Sequence, residues 1–225
     1  MTHQEQHAAF LEQWDRLMDS CDVPRKQARL DAFARLVTAY SEPHRHYHNL
    51  EHIQFVLFIL EAMNLKQPET VRLAAWYHDV IYDPRRSDNE SRSAEAAAES
   101  LRGLGIDADR TARVGHLILM TKDHEVPLED LDAAALVDAD LAILATAEWR
   151  YAQYADAIRK EYAWVADRDY YQGRRKVLQG FLQRPRIFRV HDAKDMHGHS
   201  VESRARANLA AEIAQIEEKL RSMSS

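Results

Sequence analysis

Four residues of ligand type stand where a helical period asks for core: His52, His78, Asp79 and Asp140. His52 shares a face with Val56, Ile59 and Met63. His78 lies on the stripe of Val71, Ala74, Ala75 and Ile81, and Asp79 follows it within "VRLAAWYHDVIY". Neighbouring helix positions diverge by about 100°, yet both members of such a doublet can reach one ion lying between them. Asp140, in "AAALVDADLAIL", shares its face with Leu136, Val137, Leu141 and Leu144. Asp138 has the weaker face of Ala134, Ala142 and Ala145, so the buried role is assigned to Asp140, with Asp138 as its competitor. A buried polar group is costly unless something satisfies it. Two imidazoles and two carboxylates suit a divalent cation, with Mn, Co, Ni, Fe, Zn and Mg not distinguished by the residue types. The alternative is a set of unrelated hydrogen-bonded core polars.

The elements that must carry these residues are helices. Gly and Pro number six each in 225 residues, and Ala, Leu, Glu and Arg abound, so the expected class is all-α. Helices are expected from about residue 4 to 20, from Pro24 to Tyr40, and from an Asn49 cap to about Asn64. Pro68 opens one that carries "WYHDVIY". Others run from Asn89 to Leu104, from an Asp107 cap to Met120, and over residues 133–145, with two more up to Leu182. Residues 184–200 read as an irregular loop and 201–222 as an amphipathic C-terminal packing helix. The expectation is a single helical domain over residues 1–225.

Composition narrows the function classes. A net charge of −6 argues against a nucleic-acid polymer as partner. The lone cysteine, Cys21, precludes an internal disulfide. No apolar run approaches a membrane span and no signal-peptide pattern opens the chain, so no membrane and a cytoplasmic location are expected. The amphipathic terminal helices are also compatible with a homodimer.

The order His … His-Asp … Asp, with its doublet in an apolar helix, resembles the HD superfamily of metal-dependent phosphohydrolases. The phrases "RHYHNLEHI", "WYHDVIYDP", "DNESRSA", "DADLAIL" and "ARANLAAEI" are similar to a bacterial group of predicted HD phosphohydrolases, over about residues 25–215. "YHNLEHI" is also similar to a phrase of cyclic nucleotide phosphodiesterases. The resemblance implies an HD-type helical bundle and one divalent ion held by His52, His78, Asp79 and Asp140. It implies His48 as proton donor to the leaving group. It implies a small phosphorylated substrate, a nucleotide by preference, cleaved at a phosphomonoester, phosphodiester or pyrophosphate bond. Members with two metals carry extra histidines between the doublet and the last aspartate. Asp83, Glu90, His116 and His124 are the candidates here for a second ion or an outer shell.

A bound cation would activate water and polarise a phosphoryl oxygen, and a histidine of ordinary pKa, about 6.5, suits proton donation from position 48. Arg45, three residues before His48, is expected to hold phosphate with its fork. Arg85, Arg86 and Lys122 are further candidates, with plain surface charge as their alternative. A second "HD", His191-Asp192, sits with Asp195, His197 and His199 in a segment without a helical apolar face, so it reads as an exposed loop. His3 and His7 are expected in an N-terminal turn. Trp14, Trp76, Trp149 and Trp164 are expected to pack in the core or between helices. Arg206 and Asn208 could cap a neighbouring helix or touch a substrate. Two other functions compete: a di-iron HD-type oxygenase such as myo-inositol oxygenase, using His116 and His124, and a non-catalytic metal-stabilised binding module.

Overall fold

A computed structural model describes residues 3–194 and 198–223, with side chains from His7 onward. The described residues are all-α, and no strand occurs among them; Lys194 and Ser200 form an isolated bridge. No helix among them is long and apolar enough to cross a membrane.

The chain divides into two compact units, residues 1–137 and 138–225. The first contains α1 (His3–Ser20), α2 (Lys26–Tyr40), α3 (Leu50–Glu61), α4 (Pro68–Tyr77), α5 (Asn89–Leu104) and α6 (Ala108–Met120). The division falls inside α7 (Leu131–Asp140). A 3-10 helix (Leu141–Ala145), α8 (Glu148–Glu161), α9 (Asp167–Gln183) and α10 (Val201–Ser222) follow in the second.

In the first unit α4 is the central element. It packs on α1, α3, α5 and α6, and Thr70, Val71 and every residue from Leu73 to Tyr77 are buried. Trp14 and Trp76 are fully enclosed and meet edge to face at 5.5 Å, an arrangement that adds to their large apolar burial. Trp14 also donates its indole N–H to the Arg29 carbonyl at 3.0 Å. The expected caps form. The Asn49 side chain accepts from the Glu51 and His52 N–H groups, and Asp107 accepts from Arg110 N–H. Gly105 ends α5 at φ +84°, with its N–H and that of Ile106 returning to the Arg102 and Leu101 carbonyls. This left-handed cap is the conformation glycine adopts without a Cβ penalty.

In the second unit α10 packs on α9 and on the 3-10 helix. Asn208 donates to the Leu144 and Thr146 carbonyls at 2.9 Å each. Arg206 donates to the carbonyls of Leu182 and Arg184. Arg206 and Asn208 therefore close helix ends here. Tyr151 donates to the buried Glu212, which also receives two bonds from Arg174.

Three sequence expectations are corrected. Residues 3–7 belong to α1 rather than to a terminal turn, and the His7 ring meets Phe33 at 5.3 Å. Trp149 and Trp164 are 66% and 51% exposed, so they are not core residues of their unit. The helix opened by Pro68 stops at Tyr77 and does not run on through the His-Asp doublet. Tertiary partners take over the backbone there. Ser93 Oγ accepts the Ile81 N–H, and the Asp79 and Val80 carbonyls accept from Arg45. Pro84 adds its own restriction on the residue before it.

Candidate metal centre

Helix packing of α3 against α4 sets the centre. His52 occupies the first turn of α3, just after the Asn49 cap, and is buried. His78 is the residue at which α4 ends, and is buried as well. Its Nδ1 faces the Ala75 carbonyl at 2.9 Å. A hydrogen bond there requires the proton on Nδ1, so in the neutral ring Nε2 is the lone-pair nitrogen. That Nε2 lies 3.1 Å from His52 Nε2.

Asp79 closes the group. Its Oδ2 is 3.1 Å from His78 Nε2 and 3.5 Å from His52 Nε2. Burial would raise the Asp79 carboxyl. The charge of His78, hydrogen bonds from His52 and His78, and the charge of His48 outweigh it and hold the group well below the usual carboxylate range. The doublet lies in the turn that follows α4, and His78 itself keeps helical dihedrals, φ −60° and ψ −34°.

These separations test the fit of an ion. Adjacent ligand atoms on an octahedral cation with bonds of about 2.1 Å are about 3 Å apart, and tetrahedral coordination gives only slightly more. Spacings of 3.1, 3.1 and 3.5 Å satisfy either geometry, so residue types and spacing fit a divalent ion without selecting the element.

His48 is half-buried beside the pair. Its ring stacks on Tyr82 at 4.1 Å and meets the His52 ring edge-on at 5.8 Å. Tyr82 is a neighbour that the sequence reading did not single out; its signal was an aromatic residue three positions after the doublet. His44 also contacts Tyr82, through the backbone carbonyl at 2.9 Å. His46 is exposed.

The structure gives Arg45 a different employment from the expected one. It is buried, and its donors go to Glu42 and to the carbonyls of His48, Asp79 and Val80. No donor is thereby directed at a phosphate. Arg85 and Lys122 are exposed cations, and Arg86 pairs with Asp88 at 2.6 Å.

The candidates for a second ion are not brought together. Asp83 Oδ1 accepts the Arg85 N–H, and Glu90 sits in the first turn of α5. His116 lies 3.3 Å from Asp130, which Arg113 grips with two bonds at 2.7 and 2.5 Å. Arg113 and Asp130 border a cavity of about 360 Å³ that Lys66, Gln67 and Asp132 also line. His124 follows a turn, at φ +54°. Among the described residues no second group of three metal-ligating side chains gathers.

Asp138 and Asp140 exchange the burial expected of them. Asp138 is 2% exposed, whereas Asp140 is only half-buried at the end of α7. The reason is a separate task for Asp138: its Oδ2 accepts the N–H groups of Arg189, Val190 and His191 at 2.7, 2.6 and 2.8 Å. An oxygen so occupied is a poor metal ligand, and Asp138 is not among the described side chains that gather as potential metal ligands. The second His-Asp pair lies in the segment that Asp138 holds. His191 meets the Phe188 ring at 5.7 Å, and Asp195 and His197 lie outside the described residues.

No protein-family model matches the chain, and no curated protein or solved structure matches it.

Proposed function

We propose that this chain is a metal-dependent phosphohydrolase acting on a small phosphorylated molecule of the nucleotide class. The observation that carries the reading is the convergence of His52 Nε2, His78 Nε2 and Asp79 Oδ2 within 3.5 Å of one another. Three Lewis-basic atoms packed so closely in a buried place favour a shared cation. His52, His78 and Asp140 offer atoms that could hold such an ion; with Asp79 they would form its protein ligand set. A bound divalent cation supplies an activated water at neutral pH and an electrophilic phosphoryl group.

The chain's own residues supply the rest. His78 presents Nε2 because Nδ1 is committed to Ala75. Asp79 brings the negative charge that favours cation binding. His48, stacked on Tyr82 at the edge of the group, gives its proton to the departing oxygen. Arg85 and Lys122 are the exposed cations assigned to the substrate's phosphate. The net charge of −6 suits a small ligand better than a polyanionic chain.

The test is elemental analysis of purified protein, with hydrolysis of a panel of nucleotides and phosphate esters under added Mn²⁺, Co²⁺, Ni²⁺ or Mg²⁺. Bound metal is expected, as is hydrolysis that falls by two or more orders of magnitude in His78→Ala and Asp79→Ala. Absence of both bound metal and metal-induced stabilisation refutes the centre. Wild-type rates in the two variants refute the hydrolase. Stoichiometric iron with oxygen consumption would assign the oxygenase instead.

A further inference from the structure

The Arg45 side chain is fully enclosed, at 0% exposure. Its Nε donates to Glu42 at 2.9 Å. Its Nη1 donates to two carbonyls, those of His48 at 3.1 Å and Asp79 at 2.6 Å. Its Nη2 donates to the Val80 carbonyl at 3.0 Å. The guanidinium also lies over the rings of Tyr40 and Tyr82, at 5.1 and 5.5 Å.

A buried cation is expensive unless its donors are satisfied, and here the Glu42 carboxylate takes one bond and main-chain carbonyls take the other three. Two segments supply those carbonyls. One is the loop that carries His48 into α3. The other is the turn of His78 and Asp79, where the helical ladder has already ended. The single nitrogen Nη1 ties the two segments to each other. A guanidinium presents donors at fixed angles in one plane, whereas a lysine ammonium is a point on a flexible stem and cannot span the same acceptors.

We infer that Arg45 is a positioning residue of the metal centre: its guanidinium fixes the backbone of Asp79 and His48 against each other, and it is not a phosphate contact. The inference rests on the metal-site reading above. Groups that orient metal ligands from outside the coordination sphere change affinity by about 10–100-fold when altered.

The experiment is a Co²⁺ titration of the full chain, read by visible absorption, with thermal melts of the metal-free proteins alongside. Wild type, Arg45→Lys and Tyr77→Phe are compared. Tyr77→Phe removes a part-buried hydrogen bond between the end of α4 and Ser100 of α5, so it reports a purely structural loss. Arg45→Lys is expected to weaken Co²⁺ binding by about 10-fold or more, while Tyr77→Phe lowers the melting temperature and leaves the affinity within about twofold. Arg45→Lys affinity within about twofold of wild type overturns the inference, as does an equal loss in Tyr77→Phe. Should Arg45→Lys not fold, Glu42→Gln takes its place; it loosens the outer end of the clamp, with an expected loss of about threefold. Unchanged affinity there overturns the inference. A wild-type chain that binds no Co²⁺ refutes the metal centre itself and is thereby told apart from failure of the clamp.

Discussion

Asp138 allows the acceptor role of a carboxylate to be separated from its charge. Removal of its side chain in Asp138→Ala strips three amides of the one oxygen that serves them. A buried donor left unmet costs about 1–3 kcal/mol. The loop amides are half-buried, so water relieves part of this, and the expected cost is about 2–5 kcal/mol. Asp138→Asn keeps a carbonyl oxygen in the same place. Burial already pushes the Asp138 carboxyl up, against the three amide bonds and the charge of His191 that pull it down. A raised carboxyl means that the fold disfavours the ionised form. Stability from this group is fullest below its unfolded pKa and declines as pH rises through the folded value. Asparagine bears no such cost, so its loss should stay below about 1.5 kcal/mol. Urea unfolding at neutral pH measures both losses, and hydrogen exchange in the segment 187–191 localises them. Both variants should bind metal as wild type does. An asparagine variant as damaged as the alanine variant refutes the reasoning about charge. Loss of metal in either refutes the assignment of Asp138 to the loop.

Two further outcomes follow from groups outside the metal centre. The Arg113 hydrogen bonds hold the Asp130 carboxyl far below its ordinary range. A lowered carboxyl adds stability that is present above its unfolded pKa of about 3.9 and is lost as pH falls towards the folded value. Asp130→Asn should therefore destabilise more at pH ~7 than at pH ~3; a constant gap in urea midpoint across that range would count against the pair. Gly105→Ala meets no atom within 4 Å yet must keep φ +84°, so it should destabilise by about 1 kcal/mol. Gly103→Ala, also unobstructed but inside α5, should stabilise by up to about 1 kcal/mol. Shifts of the same sign in the two glycine variants would contradict this.

The helices were legible because their signals are local. Asn49 and Asp107 are caps whose bonds close within three residues, and α5 covers the residues expected of it. The inward facing of His52 followed from one apolar stripe in one helix. What escaped depended on partners distant in sequence. The helix stops at the doublet because Arg45 takes the Asp79 carbonyl and Ser93 takes the Ile81 N–H just beyond it, from opposite directions along the chain. The burial of Asp138 followed from three amides some 51 to 53 residues away, which no helical face could show. Arg45 looked like a phosphate fork because composition gives its charge and not its acceptors. Trp149 looked like core because a large ring raises the expectation of burial without stating against what.

The tryptophans divide in a way that makes the protein its own spectroscopic probe. Trp14 and Trp76, both in the first unit, are shut off from solvent, whereas Trp149 and Trp164, both in the second, are open to it. Emission from the first pair is therefore blue-shifted and moves to the red when that unit opens. The second pair contributes red emission from the start and is the fraction within reach of a collisional quencher. Difference spectra with and without quencher thus follow the two units separately during a single titration, without any added label.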